Sequence, residues 1–85
     1  MKLLLAEDDP MIGTGLVRGL KQAGFAVDWV KDGRAARLAV DSGGYGLLLL
    51  DLGLPQVDGV TLLKDLRRAN VGIPVLVVTA RDTVA

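Results

Sequence analysis

The stretch that decides the fold is Leu47-Leu48-Leu49-Leu50-Asp51-Leu52-Gly53-Leu54-Pro55-Gln56-Val57-Asp58-Gly59. Its four leucines form a short unbroken apolar run, which is typical of a strand buried on both faces in a parallel sheet covered by helices. The glycine and proline that follow end this strand and predict a loop. We therefore expect Asp51 at the carboxyl end of a buried strand, the edge at which ligands bind in open α/β sheets.

Acidic residues also follow the first predicted strand, Lys2 to Ala6. Asp9 has an ordinary structural role available, because it can cap a helix that begins with Pro10. Glu7 and Asp8 have no such role, and adjacent carboxylates at a strand end repel each other. A divalent cation shared with another carboxylate would explain their presence.

The rest of the chain alternates between helical and strand patterns. Helix 1 is predicted over 11–23, with an inner face formed by Ile12, Leu16, Leu20 and Ala23, and Gly24 is expected to end it. Strand 2 is predicted over 25–30 as an edge strand because its residues alternate, and Trp29 is expected to serve in packing. Two further helices are expected. The first begins at Asp32-Gly33, and its inner face is formed by Ala36, Ala39 and Val40. The second is capped by Asp58, and its inner face is formed by Leu62, Leu63 and Leu66. A fourth strand over 75–78 follows Pro74.

The resulting order βαβαβαβ predicts an α/β fold with a parallel sheet and right-handed crossovers. Strands 1, 3 and 4 end in polar groups, with Thr79 at the end of the fourth. If these three strands are neighbours, the strand order is 2-1-3-4. The topological switch point then falls between strands 1 and 3, where the acids lie.

Composition limits the chemistry that the chain can perform. The 85 residues suffice for one small domain, and 51% of them are hydrophobic. Ten basic and ten acidic residues give a net charge of +0, which offers no electrostatic footprint for nucleic acid or an anionic membrane. The chain contains no Cys and no His, so carboxylates, hydroxyls, Lys, Arg and the backbone must carry any chemistry. No apolar run is long enough to span a bilayer, and we expect a cytoplasmic location.

The three acids Glu7, Asp8 and Asp51 predict an all-oxygen site suited to Mg²⁺. No glycine-rich phosphate loop occurs, which argues against a bound nucleotide. With a metal neutralising its neighbours, a carboxylate can act as a nucleophile toward a phosphoryl group, and Thr79 is placed to hydrogen-bond a phosphoryl oxygen.

These residues resemble the receiver domain of bacterial two-component response regulators, particularly the OmpR/PhoB type. The motifs are Glu7-Asp8-Asp9, the segment from Leu50 to Gly59, and Thr79-Ala80-Arg81 after a hydrophobic strand. The resemblance covers essentially the whole chain and implies a flavodoxin-like (CheY-like) doubly wound parallel sheet.

The resemblance also implies a role for each matching residue. Asp51 would be the phosphoacceptor for a sensor histidine kinase. Asp8 would bind Mg²⁺ directly, Glu7 mostly through water, and the Gly53 carbonyl would complete the metal shell. Thr79 would be the switch hydroxyl, and Ala80 the small neighbour that leaves room for it. The domain would catalyse only its own phosphorylation and dephosphorylation, and would not be an enzyme otherwise.

The sequence departs from the family pattern at its carboxyl end. The family has five strands and five helices, whereas the fifth β-α unit is missing here, with its lysine and aromatic switch residue. We therefore expect residues 1–85 to be an incomplete receiver domain. Promoter DNA would be bound only through an output domain absent from this chain. Strand 4 would be an exposed apolar edge that favours a homodimer.

Three alternatives stay open at this point. The first is a receiver-like interaction or dimerisation module that works without phosphorylation, and the missing lysine would favour it. The second is a Mg²⁺-dependent phosphohydrolase, which usually needs a second acid where Gly53 stands. The third treats the acids as caps and turns, and it explains Asp9, Asp32 and Asp58 but not the other three together.

Overall fold

The leucine run and its neighbouring strands form one parallel sheet in the computed structural model, which describes residues 1–79. The strands are β1 (Lys2–Ala6), β2 (Ala26–Val30), β3 (Leu47–Asp51) and β4 (Val75–Thr79), and the helices are α1 (Pro10–Gln22), α2 (Gly33–Ser42) and α3 (Gly59–Arg68). Their order in the sheet is β2-β1-β3-β4, with every pair parallel. The predicted order 2-1-3-4 is confirmed, and β1 lies beside β3.

The leucines of the two central strands alternate between two cores, one on each face of the sheet. Leu4, Leu48 and Leu50 pack on the side of α2 and α3, against Ala36, Val40, Leu62 and Leu66. Leu3, Leu5 and Leu49 pack on the other side, where α1 contributes Leu16, Val17 and Leu20. Because both faces are covered, a continuous apolar run is the expected sequence for β3.

Each helix begins at the aspartate that the sequence indicated. The Asp9 carboxylate accepts hydrogen bonds from the backbone N–H groups of Met11 and Ile12. Asp32 and Asp58 cap α2 and α3 in the same way, each accepting from the N–H three residues later. These bonds satisfy donors that the first helical turn leaves unpaired.

The end of α1 explains why β2 begins one residue later than predicted. Gly24 has a φ of +97°, and its N–H donates to the Lys21 carbonyl. The Phe25 N–H donates to the Leu20 carbonyl at 3.1 Å. This pair of bonds is the Schellman arrangement, so Phe25 belongs to the helix end and the strand starts at Ala26.

The predicted inner face of α1 is partly wrong. Leu16 and Leu20 pack against the sheet as expected, but Ile12 is 38% exposed and Ala23 is also exposed. The buried residue of the first turns is Gly13. A Cβ at Gly13 would lie 2.0 Å from an atom of the Trp29 indole. The large indole therefore occupies the space that a side chain on this face of the helix would need.

The two edge strands of the described sheet differ in polarity. β2 carries Asp28, which forms an ion pair with Lys2. β4 instead exposes apolar side chains, with Leu76 54% and Val77 43% accessible. The prediction of an exposed apolar edge at strand 4 is confirmed for residues 1–79. None of the helices in this part of the chain is long and apolar enough to cross a membrane.

A cluster of three polar side chains connects the starts of β1 and β3 to β2. The Tyr45 hydroxyl donates to Asp28 Oδ2 at 2.6 Å, and Lys2 Nζ lies 3.0 Å from the same oxygen. The hydrogen bond from Tyr45, followed by that from Lys2, lowers the pKa of Asp28 below its ordinary value. The bond to Asp28 likewise raises the pKa of Tyr45 and of Lys2.

Replacement of Asp28 by Asn is therefore expected to give a pH-dependent loss of stability. A carboxyl whose folded pKa is lowered stabilises the fold above its unfolded pKa, and this contribution disappears as the pH falls through the folded value. Wild type should thus be the more stable at neutral pH, and the two unfolding midpoints should converge in acid below the ordinary aspartate range. Urea titrations at several pH values test this, and a difference that persists unchanged in strong acid would contradict it.

Candidate functional site

Three carboxylates meet at the carboxyl edge of the sheet, between the two central strands. Asp51 is the last residue of β3, and Glu7 and Asp8 directly follow β1, so the β1–β3 pairing brings them together. One carboxylate oxygen from each residue lies within 4.8 Å of the others. The predicted convergence of Glu7, Asp8 and Asp51 is confirmed.

The burial and charge of this cluster suit a hard cation. Glu7 and Asp51 are fully buried, and Asp8 is half-buried. Three negative groups at this separation repel each other, and burial increases the cost of their charge. Oxygen ligands in this number are the kind that Mg²⁺ takes, with waters or a phosphate filling the other positions. The donor set therefore fits Mg²⁺ and offers none of the nitrogen or sulfur ligands that zinc prefers.

The backbone after β3 turns back onto the Asp51 side chain. The Gly53 N–H donates to Asp51 Oδ1 at 3.0 Å, which fixes the orientation of the carboxylate. The β3–β4 pairing shifts between Leu50 and Asp51, so that Asp51 stands opposite Thr79. The backbone of Thr79 thus ends β4 beside the acidic edge, as predicted. Ala80, the second predicted switch position, lies outside the described residues.

The loop between β3 and α3, residues 52–58, is held at close range by two glycines. The Gly33 N–H donates to the Pro55 carbonyl, and the Gly59 N–H donates to the Leu52 carbonyl. A Cβ at Gly33 would lie 1.8 Å from the Val57 carbonyl oxygen, and one at Gly59 would lie 2.6 Å from the Leu52 Cα. Both positions therefore require glycine if this loop is to keep its place beside Asp51.

A further contact joins the acidic cluster to β2 and α1. The Trp29 indole N–H donates to the Glu7 carbonyl at 2.8 Å, and the Glu7 N–H donates to the Val30 carbonyl at 3.0 Å. Trp29 packs as predicted, but its hydrogen bond to Glu7 could not be predicted from the sequence. The roles of Gly13 and Gly33 were missed as well, because each depends on a residue distant in the chain.

Known proteins share this sequence and fold. The family model described as the response regulator receiver domain matches residues 3–85. The chain belongs to this family. The identification agrees with the strand order, with the acidic edge and with the resemblance found in the sequence motifs.

The receiver domain is similar to part of longer regulators. It is 48% identical over 83 residues to the transcriptional regulatory protein QseB of Haemophilus influenzae. It is 47% identical over 85 residues to the response regulator protein PmrA of Pseudomonas aeruginosa. These alignments cover 98% and 100% of this chain but 38% of each relative. The chain thus spans less than half the length of the curated relatives that it matches.

Solved receiver structures have the same fold. The receiver domain of the Francisella response regulator 1452 superposes with a TM-score of 0.90 at 30% identity, covering 98% of this chain and 69% of that one. The MaeR response regulator bound to beryllium trifluoride gives a TM-score of 0.87 at 30% identity, covering 94% and 67%. TrrA from Thermotoga maritima, solved in complex with Mg²⁺ and a beryllium fluoride, gives 0.83 at 25% identity, covering 89% and 66%.

Proposed function

We propose that this receiver domain accepts a phosphoryl group on Asp51 from the phosphohistidine of a sensor histidine kinase, with Mg²⁺ as its cofactor. The observation that carries the proposal is the set of three carboxylate oxygens within 4.8 Å, with Asp51 fully buried at the carboxyl end of β3. Glu7, Asp8, Asp51 and the Gly53 carbonyl would hold the metal. TrrA has Mg²⁺ and a beryllium fluoride bound, and MaeR has beryllium trifluoride bound, which supports this assignment.

The residues of the site divide the work of phosphoryl transfer. A carboxylate oxygen of Asp51 attacks phosphorus, a new P–O bond forms, and the bond from phosphorus to the donor histidine nitrogen breaks with its electron pair staying on nitrogen. Mg²⁺, when bound, would supply positive charge that offsets the charge of the carboxylates and of the transferring phosphoryl group. The Gly53 N–H donates to Asp51 Oδ1 and so orients the carboxylate that would attack phosphorus.

Beyond the acidic edge, the proposal assigns the output to other parts of a longer protein. Thr79 and Ala80 are proposed as the switch residues that respond to the phosphoryl group. Because QseB is a transcriptional regulatory protein that this chain covers only to 38%, we place promoter binding in an output domain outside these residues. Homodimer formation and a cytoplasmic location belong to the same proposal. The domain itself is regulatory.

Intact-mass measurement after incubation with acetyl phosphate and Mg²⁺ tests the proposal directly. We expect a gain of one phosphoryl group that disappears when EDTA replaces Mg²⁺. The full-length protein and the 85-residue chain should be measured side by side, with folding checked by circular dichroism. No gain on either folded protein would contradict the proposal and favour an interaction module that works without phosphorylation.

Replacement of Asp8 by Ala is expected to weaken Mg²⁺ binding by at least about tenfold, because a directly coordinating carboxylate is lost. Calorimetric titration with MgCl₂ measures the change. Asp41→Ala is the matched control, since it removes an exposed carboxylate at the far end of α2 and should leave the Mg²⁺ affinity unchanged. Equal affinities for wild type and Asp8→Ala would place the metal elsewhere.

A further inference from the structure

We propose that Trp29 is a positioning residue for the metal site, in that its indole N–H holds the Glu7 carbonyl and thereby orients the acidic pair Glu7-Asp8. This inference rests on the proposed function, because it assumes that these carboxylates bind Mg²⁺. It concerns a residue on β2, which contributes no carboxylate to the cluster.

Strand β2 holds both backbone groups of Glu7. The Glu7 N–H donates to the Val30 carbonyl at 3.0 Å, as a continuation of the β1–β2 pairing. The Glu7 carbonyl accepts from the Trp29 indole nitrogen at 2.8 Å. That carbonyl belongs to the peptide unit that leads into Asp8. Its direction therefore sets where the Asp8 side chain leaves the backbone.

The acceptor end of this hydrogen bond is buried, so the indole donor is hard to replace. Glu7 is 0% exposed, so water does not reach its carbonyl in the folded state. A buried carbonyl that loses a donor costs more free energy than the bond itself contributes, and the local backbone moves to recover a partner. Loss of the indole N–H is therefore expected to rotate the peptide between Glu7 and Asp8.

The indole of Trp29 is itself held by three sets of contacts. A Cβ on Gly13 would lie 2.0 Å from Cζ2, 2.4 Å from Cε2 and 2.7 Å from Cη2 of Trp29, so α1 packs directly on the six-membered ring of the indole. Lys31 Nζ lies 5.0 Å from the ring centroid, within cation–π range. The ring also packs against the core of Leu3, Leu5 and Leu49.

These contacts form a closed circuit around the proposed metal ligands Glu7 and Asp8. The Glu7 side chain accepts from the Asp9 N–H at 3.1 Å, and Asp9 caps α1. Helix α1 in turn presents Gly13 to Trp29, which returns to the Glu7 carbonyl. A tryptophan that served only to fill space would not need the hydrogen bond from its indole N–H to the Glu7 carbonyl. Groups that hydrogen-bond to metal-ligating residues commonly orient them, and Trp29 would do so through the Glu7 backbone.

The test compares Trp29→Phe with wild type by calorimetric titration with MgCl₂ and by urea unfolding. Phe keeps a buried aromatic ring but has no N–H donor. We expect Mg²⁺ binding to weaken about tenfold while circular dichroism still shows a folded domain. Unchanged affinity in folded Trp29→Phe, with stability alone reduced, would overturn the proposal and leave Trp29 a packing residue.

Gly13→Ala provides a second variant that retains the indole but displaces it. Its affinity for Mg²⁺ should fall in the same direction. Gly15→Ala is the matched control in the same helix, because a Cβ there would meet no atom within 4 Å, and its affinity should equal that of wild type. Equal affinities for Gly13→Ala and Gly15→Ala would count against the circuit.

The wild-type protein supplies a readout that does not depend on any variant folding. The chain has one tryptophan, so its ¹⁵N-labelled spectrum contains a single indole N–H resonance. We expect Mg²⁺ to shift this resonance along the calorimetric binding curve. A fixed resonance while calorimetry records binding would overturn the role of Trp29. Absence of any calorimetric binding to folded wild type would instead refute the proposed function.

Discussion

Asp51→Asn is expected to abolish phosphoryl incorporation from acetyl phosphate. The amide keeps the shape of the side chain and can still accept the Gly53 N–H through its oxygen, but it has no anionic oxygen to attack phosphorus. The substitution also removes one of three carboxylates that lie within 4.8 Å of one another. Because like charges at this range repel each other, the variant should unfold at a higher urea concentration than wild type in EDTA.

Intact mass and urea titration measure the two effects on the same samples. Asp65→Asn is the matched control, because it removes a carboxylate on the surface of α3. Asp65 Oδ1 lies 3.5 Å from Arg68 Nη1, in an exposed ion pair. It should incorporate phosphoryl at the wild-type level. A one-phosphoryl gain on Asp51→Asn would refute the assignment of the phosphoacceptor, even if the other carboxylates bind Mg²⁺.

Gly33→Ala is expected to lower both the stability of the fold and the affinity for Mg²⁺. The added Cβ would lie 1.8 Å from the carbonyl oxygen of Val57, and the atom that it meets belongs to the backbone, which cannot rotate away as a side chain can. Overpacking of this kind costs about 1–3 kcal/mol, and we expect a loss near the upper end. The loop that must move includes Gly53 and adjoins Asp51, so its displacement should weaken the metal site as well.

Gly19→Ala separates this clash from the general effect of replacing glycine in a helix. A Cβ at Gly19 meets nothing within 4 Å, and alanine there should stabilise α1 by up to about 1 kcal/mol. Urea unfolding should thus show a lower stability for Gly33→Ala and a higher stability for Gly19→Ala. Calorimetric titration with MgCl₂ should show a changed affinity only in Gly33→Ala. A Gly33→Ala variant as stable as wild type would contradict the close packing of α2 against the loop.

The sequence by itself determined the elements of secondary structure and their order. The uninterrupted leucines of β3, the aspartate caps of all three helices and Gly24 at the end of α1 each act on residues within a few positions along the chain. Local interactions of this kind are visible in a single sequence. The convergence of Glu7, Asp8 and Asp51 could also be predicted, because the strand order follows from the βα alternation and parallel strands end at one edge.

Only the tertiary structure decided how the acidic edge is supported. Trp29 and Glu7 are 22 positions apart, and the hydrogen bond between them depends on the β1–β2 register and on a side-chain rotamer. The burial of Gly13 in place of Ile12 on α1 has the same cause, because the indole fills the space on that face. Contacts between distant residues depend on packing geometry, whereas periodicity reports only which face of an element is apolar. The three clustered carboxylates could therefore be named from the sequence, but the distant residues that contact them could not.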